Sequence, residues 1–211
     1  MEGMNTIKGI VFDFGGVISM PCDPTFLPHV QDLTGWTPEE TLAGWKKHRS
    51  GMDADTISVR ELYRRMAADR GETLSAETLD DIAESDFNAW SQPNPATLEW
   101  ARQLKAAGYR IGILTNMPTD FIPWFDRCAA AFRALADAEV ISGAEHLVKP
   151  NPEIYALMVE RIGLPPEQLI FLDDTLANVE AARACGWHGH HFKGVEGAAQ
   201  ALADLQNGAQ A

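Results

Sequence analysis

The segment that most constrains this chain is Ile7-Lys8-Gly9-Ile10-Val11-Phe12, a short and mostly apolar run that ends on the carboxylate of Asp13 and is broken by Gly15-Gly16. A run without polar alternation suits a strand buried on both faces. Such a strand needs neighbours beside it and helices above and below. Comparable runs return only much later, at Tyr109 to Leu114, Glu139 to Ile141 and Gln168 to Leu172, with a weaker one at Trp187 to Phe192. Between them lie helical patterns. One covers Pro95 to Ala107 with Gly108 as its C-cap, and one runs from Pro152 to Ile162, ending at Gly163. Others cover Leu176 to Cys185, ending at Gly186, and Val195 to Leu205. Strands alternating with helices of this length predict an α/β fold: a Rossmann-like parallel sheet with helices on both faces.

The stretch from about Pro21 to Ala89 breaks that rhythm. It holds no convincing strand, but Thr37-Pro38-Glu39-Glu40 reads as a capping box, Ser75 as a second N-cap, and Val59 to Ala68 as a third helix. The expected organisation is an α/β core formed by residues 1–20 and 91–211, with residues 21–90 as a small all-helical cap. The cap is expected over the carboxyl edge of the sheet, where open α/β sheets bind ligands.

Acidic residues outnumber basic ones, 30 to 17, for a net charge of -13. No basic stripe is present to follow a nucleic-acid backbone, so no nucleic-acid partner is expected. No run reaches 18 apolar residues and no signal-peptide pattern opens the chain, so no membrane association is expected. Cys22, Cys128 and Cys185 lie far apart without metal-ligand spacing, which fits a reducing compartment and a cytoplasmic location. Monomer and homodimer are equally compatible with the sequence.

Three strand ends carry polar residues: Asp13, Thr115-Asn116 and Asp173-Asp174. Parallel strands bring all their carboxyl ends to one edge, so these five residues should converge. Three carboxylates in one place repel and raise each other's pKa unless a cation joins them. Mg²⁺ suits such an oxygen site. Lys149, in a turn stiffened by Pro150 and Pro152, precedes a helix and is placed to reach the same edge as a charge partner for Asp13.

Four segments in order carry a family resemblance: Phe12-Asp13-Phe14-Gly15-Gly16-Val17, Leu114-Thr115-Asn116, Lys149-Pro150-Asn151-Pro152, and Phe171-Leu172-Asp173-Asp174 followed by Asn178-Val179-Glu180-Ala181-Ala182. The chain resembles the haloacid dehalogenase-like hydrolases, in the subclass with a helical cap inserted after the first strand. Within it the chain is similar to an Asp-x-Gly-x-Val group that includes sugar-phosphate phosphatases. The resemblance implies a phosphomonoester hydrolase acting on a small phosphorylated metabolite. Asp13 would attack phosphorus to form an aspartyl-phosphate, dividing one hard step into two. Asp13, the Gly15 carbonyl and Asp174 would hold Mg²⁺, with Asp173 supporting through bound water. Thr115 and the Asn116 N–H would bind phosphoryl oxygens, and Lys149 would neutralise charge.

The chain departs from the family pattern at Gly15, where an aspartate that serves as general acid and base is usual. Asp23 and His29 are conceivable substitutes. Two alternatives stay open at this point: a metal-independent 2-haloacid dehalogenase, and a small-molecule-binding protein that keeps the fold without turnover. Substrate choice is expected to lie in the cap, where Trp36, Trp45, Phe87, Trp90 and the segment Lys46-Lys47-His48-Arg49 could line the cavity. Taken singly, each is better explained as helix packing or solvated surface. Trp100, Trp124 and Phe125 are expected to pack core helices. His188, His190 and His191 fall on one strand with neighbours facing opposite ways, which argues against a shared metal.

Overall fold

A computed structural model describes residues 6–208. Its sheet has five parallel strands, β1 (Gly9–Phe12), β2 (Arg110–Thr115), β3 (Ala138–Ile141), β4 (Leu169–Asp173) and β5 (His188–His191), in the order β3-β2-β1-β4-β5. All five expected strands are present, and β1 lies at the centre. From β1 the chain builds outward through β2 and β3 on one side. It then returns to the other side of β1 for β4 and β5. The crevice beyond the carboxyl ends of β1 and β4 is therefore the topological switch point.

The apolar runs bury both faces by simple alternation. Ile10, Phe12, Ile111, Ile113, Ile170 and Leu172 face one way, while Val11, Leu114, Leu169 and Phe171 face the other. Eleven helices complete the described chain. Four of them, α1 (Phe26–Thr34), α2 (Pro38–Asp53), α3 (Val59–Asp69) and α4 (Ala76–Ala89), form the helical insertion after β1. The rest are α5 (Pro95–Ala106), α6 (Ile122–Cys128), α7 (Ala130–Arg133), α8 (Ser142–Glu145), α9 (Pro152–Ile162), α10 (Leu176–Ala184) and α11 (Val195–Gln206).

The first sheet face packs on α5, α7 and α11 through Trp100, Leu104, Phe132 and Leu202. Phe12 meets the rings of Trp100 and Phe132 edge-on, with centroids 5.8 and 5.1 Å apart. The second face packs on α9 and α10 through Ile154, Tyr155, Met158 and Ala182. Gly112 lets the two layers approach closely there: a Cβ on it would press on Val11, Ile162 and Met158 at 3.1–3.3 Å and make them shift. Full burial of each large aliphatic side chain contributes roughly 1.5–3 kcal/mol.

In the cap, Thr37 and Glu40 form the expected capping box, at 3.2 Å from the Glu40 N–H to Thr37 Oγ1 and 2.8 Å from the Thr37 N–H to Glu40 Oε2. Ser75 accepts the Thr78 N–H at 3.0 Å, and Ser58 caps α3 in the same way from Glu61. Helices α1 and α6 were not anticipated. Their prolines, Pro28 and Pro123, argue against a helix in sequence, but both fall in a first turn where no backbone N–H is lost.

Two neighbouring linkers join the helical insertion to the core. The Met20 N–H donates to the Gln92 carbonyl at 2.7 Å and the Asn94 N–H to the Ile18 carbonyl at 2.9 Å. On the far side the insertion docks on the loop after β2, where the Thr119 N–H and hydroxyl both donate to Asp55 at 2.8 Å. The Ser142 hydroxyl donates to the Asp53 carbonyl at 2.5 Å.

Candidate active site

The last residues of β1, β2 and β4 meet at the switch point. Asp13 is fixed by its N–H, which donates to the Leu172 carbonyl at 2.9 Å. Lys149, reaching in from the turn before α9, places its Nζ 2.8 Å from Asp13 Oδ1 and 2.7 Å from Asp173 Oδ2. The same ammonium donates to the Leu114 carbonyl at 3.1 Å, so all three of its protons have acceptors. Burial alone would lower the Lys149 pKa, but the pull of Asp13 and Asp173 outweighs it and the net shift is upward. The ammonium is therefore a fixed positive charge between two carboxylates.

Asn116 locks this arrangement from β2. Its amide donates to the Lys149 carbonyl at 3.0 Å and its Oδ1 accepts the Lys149 N–H at 2.8 Å. Asp173 is wholly enclosed, and its oxygens accept from Lys149, from Asn178 Nδ2 at 3.1 and 3.0 Å, and from the Thr175 N–H at 2.8 Å. Its first duty in this structure is to hold Lys149, with little capacity left for other partners. Asn178 is a site residue that the sequence reading used only as part of a motif. Thr115 is buried on the cavity wall beside Asp13.

Asp174 stands at the exposed side of the same group. Among the described residues, Asp13, Asp173 and Asp174 are the acids close enough to share an ion, with one oxygen from each within 4.8 Å of the others. Burial pushes the Asp13 carboxyl up; Lys149 pulls it down, and Asp173 and Asp174 push it further up. A donor set made only of carboxylate oxygens, with one fixed ammonium for three acids, fits a hard divalent cation such as Mg²⁺. Gly16, at φ +69°, keeps the approach open, since a Cβ there would sit 2.6 Å from Asp174 Oδ2.

Above this floor is a cavity of about 310 Å³, walled on its upper side by the helical insertion. Its upper wall includes Trp45, Arg49 and Asp53 of α2, Asp86 and Phe87 of α4, and Trp90. The Arg49 guanidinium lies over the rings of Trp45 and Trp90, 5.6 and 6.0 Å from their centroids, and its Nε is 3.4 Å from Asp53 Oδ1. The other members of its segment turn away: Lys47 and His48 both pair with Asp69 at 2.7 Å, and Lys46 is exposed. Trp36 is not in the cavity either, being buried within the cap with its indole N–H donating to Glu72.

A family model described as haloacid dehalogenase-like hydrolase matches residues 7–186. The chain belongs to that family. Phosphoglycolate phosphatase of Escherichia coli strain K12 is 34% identical over 216 aligned positions, covering 88% of this chain and 81% of the relative. A phosphatase of Mycobacterium tuberculosis is 26% identical, covering 86% and 85%. Among solved structures, a predicted HAD-like hydrolase of Porphyromonas gingivalis superposes with a TM-score of 0.71 at 22% identity, covering 95% of this chain and 98% of that one. An L-2-haloacid dehalogenase of Xanthobacter autotrophicus reaches a TM-score of 0.64 at 22% identity, covering 87% and 76%. At that identity these two superpositions show a shared fold. Family membership and the aspartate cluster together make this chain a phosphatase-like hydrolase.

Within the haloacid dehalogenase-like site, Gly15 leaves room that an indole fills. A Cβ on Gly15 would meet Trp90 at 3.5 Å. Neither proposed substitute acid is near. Asp23 accepts from Thr25 at 2.8 and 2.6 Å at the entry to α1, and His29 pairs with Asp81 at 3.0 Å on the surface. Trp100 and Phe125 do pack the core, whereas Trp124 stacks on Phe87 at 4.7 Å across the cap–core junction. His188 and His191 bond separate backbone carbonyls, those of Glu167 and Asp174, and share no metal position.

Two acids do face the cavity from above, Asp53 on α2 and Asp86 on α4. Burial raises the Asp86 carboxyl from 3.8 to about 6, against the opposing effects of the Tyr63 hydroxyl, Arg49 and Trp90. Between these two values the folded chain holds more protons than the unfolded one, so stability falls as pH rises through the window. The Asp86 contribution is about 3 kcal/mol unfavourable above pH 6. Asp86→Asn is therefore expected to gain up to about 3 kcal/mol at pH 7 and nearly nothing at pH 4. Urea unfolding at both pH values checks this, and an equal change at both would show that the cost has another origin.

Proposed function

We propose that this chain is a Mg²⁺-dependent phosphomonoester hydrolase that works through an aspartyl-phosphate on Asp13 and takes a small phosphorylated metabolite, a sugar phosphate or phosphoglycolate being the first classes to try. The observation that carries the reading is Lys149, held between Asp13 and Asp173 on the floor of the cavity. In this reading Asp13 attacks phosphorus. Lys149 offsets charge on the nucleophile and on the phosphoryl oxygens. Thr115 and the Asn116 N–H bind those oxygens, with Asn116 also holding the Lys149 backbone in register. Asp13, the Gly15 carbonyl and Asp174 would hold Mg²⁺, with Asp173 behind them. The ion supplies charge neutralisation that lets one anion approach another.

The sequence likeness to curated phosphatases supports this reading. So does a Bacteroides thetaiotaomicron enzyme of the family, solved in complex with magnesium and inorganic phosphate, whose fold this chain shares at 18% identity and a TM-score of 0.61. Residues 21–90 act in this proposal as the substrate-selecting cap, with Arg49 the cation that meets the part of the substrate beyond its phosphate. Cys22, Cys128 and Cys185 are all free thiols, in keeping with the proposed cytoplasmic location.

A panel of sugar phosphates, phosphoglycolate, nucleotides, acyl phosphates and an aryl phosphate tests the proposal. Phosphate release is expected with Mg²⁺, and its loss with chelator should be restored by adding the ion back. Halide release from a 2-haloacid without metal, in place of phosphate release, would overturn it.

A further inference from the structure

The reading of Asp13 as nucleophile leaves one proton without a source. When an alkyl or aryl phosphoester breaks, the departing oxygen needs a proton, and the later attack by water needs a base. Gly15 supplies neither. Lys149 is spanned between two carboxylates that hold its proton more firmly. Asp174 is taken by the metal in the same reading. The cavity offers two further acids, Asp53 and Asp86. Burial raises the Asp53 carboxyl despite its pairing with Arg49 at 3.4 Å, so Asp53→Asn serves as the control below.

Asp86 is differently placed. The Trp45 indole N–H, which can only donate, bonds the Tyr63 oxygen at 2.8 Å. Tyr63 in turn donates to the Asp86 carboxylate at Oδ2, at 2.7 Å, and the Trp90 side chain is a second hydrogen-bond partner of the same carboxyl. Asp86 also lies one helical turn before Trp90, the residue filling the space beside Gly15. The cap therefore puts an indole beside Gly15 and a carboxyl on the wall of the same cavity.

We propose that Asp86, carried on the cap helix α4, is the general acid and then the general base of the reaction, in place of the residue missing at position 15. The step rests on the phosphatase reading above. As Asp13 Oδ bonds to phosphorus, the P–O bond to the leaving group breaks and its electron pair goes to the departing oxygen, which takes the proton from the Asp86 carboxyl. The Asp86 carboxylate next accepts a proton from water as the water oxygen bonds to phosphorus. The P–O bond to Asp13 then breaks and returns its electron pair to the Asp13 carboxylate. Tyr63 is a positioning residue that holds the Asp86 carboxyl in the cavity wall.

The groups that set this titration come from four elements. Tyr63 on α3 and Arg49 on α2 favour the anion, as does Trp90 after α4, while Asp120 beyond β2 opposes it. Cys22 faces Asp86 as well, and its thiol is pushed up to about 11 by burial, with Asp86 and Asp23 adding to the rise, so it stays neutral. With Asp86 raised to about 6, it can both give and take a proton near neutral pH.

The experiment compares phenyl phosphate with p-nitrophenyl phosphate, whose alcohol is far more acidic, in single-turnover release of the alcohol by the full chain with Mg²⁺. Asp86→Asn is expected to slow the phenyl ester by about 10²- to 10⁴-fold and the p-nitrophenyl ester by less than about tenfold, since its leaving group needs no proton. Tyr63→Phe keeps the acid but removes a donor that favours its anion. It should move the basic limb of the phenyl phosphate pH profile to higher pH. Wild-type enzyme should show that limb near pH 6 with phenyl phosphate and lack it with p-nitrophenyl phosphate, which gives a reading even if Asp86→Asn fails to fold. Equal losses on both esters, no loss on either, or a leaving-group-dependent loss in Asp53→Asn alone would overturn the proposal. If wild type releases no alcohol from any phosphoester, the phosphatase reading falls and the proposal with it.

Discussion

Replacing Lys149 by methionine is expected to lower the unfolding temperature by roughly 6–20 °C and to abolish phosphate release. The side chain is almost completely enclosed, and its ammonium is the cation that bridges Asp13 and Asp173. Methionine keeps the stem's volume and apolar contacts but leaves two buried carboxylates uncompensated. Breaking a buried pair in this way costs about 3–5 kcal/mol, and each kilocalorie is worth about 2–4 °C in a chain of this size. The deficit should shrink as pH falls, because protonating either carboxylate removes the uncompensated charge. It should also shrink on adding Mg²⁺, so the variant's thermal shift with the ion should exceed that of wild type. Scanning calorimetry at two pH values, with and without Mg²⁺, measures all three effects. A variant as stable as wild type at neutral pH would mean that the charges around Lys149 are already neutralised by other means.

Asp13→Asn is expected to reduce phosphate release by at least about 10⁴-fold without lowering stability. Asparagine is close to isosteric, and the backbone bond to Leu172 that fixes residue 13 is untouched. Burial and the neighbouring acids already disfavour the ionised form of Asp13, so removing its charge relieves a cost. Lys149 keeps Asp173 as a partner. Loss of activity with an unchanged or higher unfolding temperature therefore separates a chemical role from a folding defect. Acid quenching during turnover of a labelled substrate should trap phosphate on wild-type chain and none on the variant. Turnover that survives in Asp13→Asn would remove Asp13 as nucleophile. Ligand binding that survives it, with no turnover of any phosphoester by wild type, would favour a binding protein on this fold.

The floor of the site was legible because strands leave little choice. A parallel strand has one carboxyl end, so a polar residue closing an apolar run has its place set as soon as the sheet is recognised. Asp13, Thr115, Asn116, Asp173 and Asp174 all follow from that rule, and Lys149 from its position ahead of α9. The roof was not legible, because a helix turns by about 100° per residue. Lys47, His48 and Arg49 are consecutive, yet only Arg49 enters the cavity, while its two neighbours meet Asp69. Asp86, on α4, was not singled out in the sequence at all. Its significance depends on Tyr63 and Trp45, which come from two other helices. A pattern along one helix does not report which of its neighbours will be packed against it. The i, i+4 spacing of Asp86 and Trp90 was the available signal, and it could be weighed only once Trp90 was known to face Gly15.

The contact between Trp90 and Gly15 also constrains how this protein can change. Gly15 has φ −62° and ψ 124°, a backbone shape open to any residue, so its own conformation does not demand a glycine. The neighbouring indole limits size instead: a bare Cβ is tolerated at 3.5 Å, but a longer side chain has to compete with the ring for the same space. Restoring the family's usual residue alone should thus push the cap outward and gain nothing. Shrinking Trp90 alone should open a void above the nucleophile and admit water. Each change becomes useful only in the company of the other. The two positions form an epistatic pair, and an enzyme that has crossed to this side of it returns only by a double step.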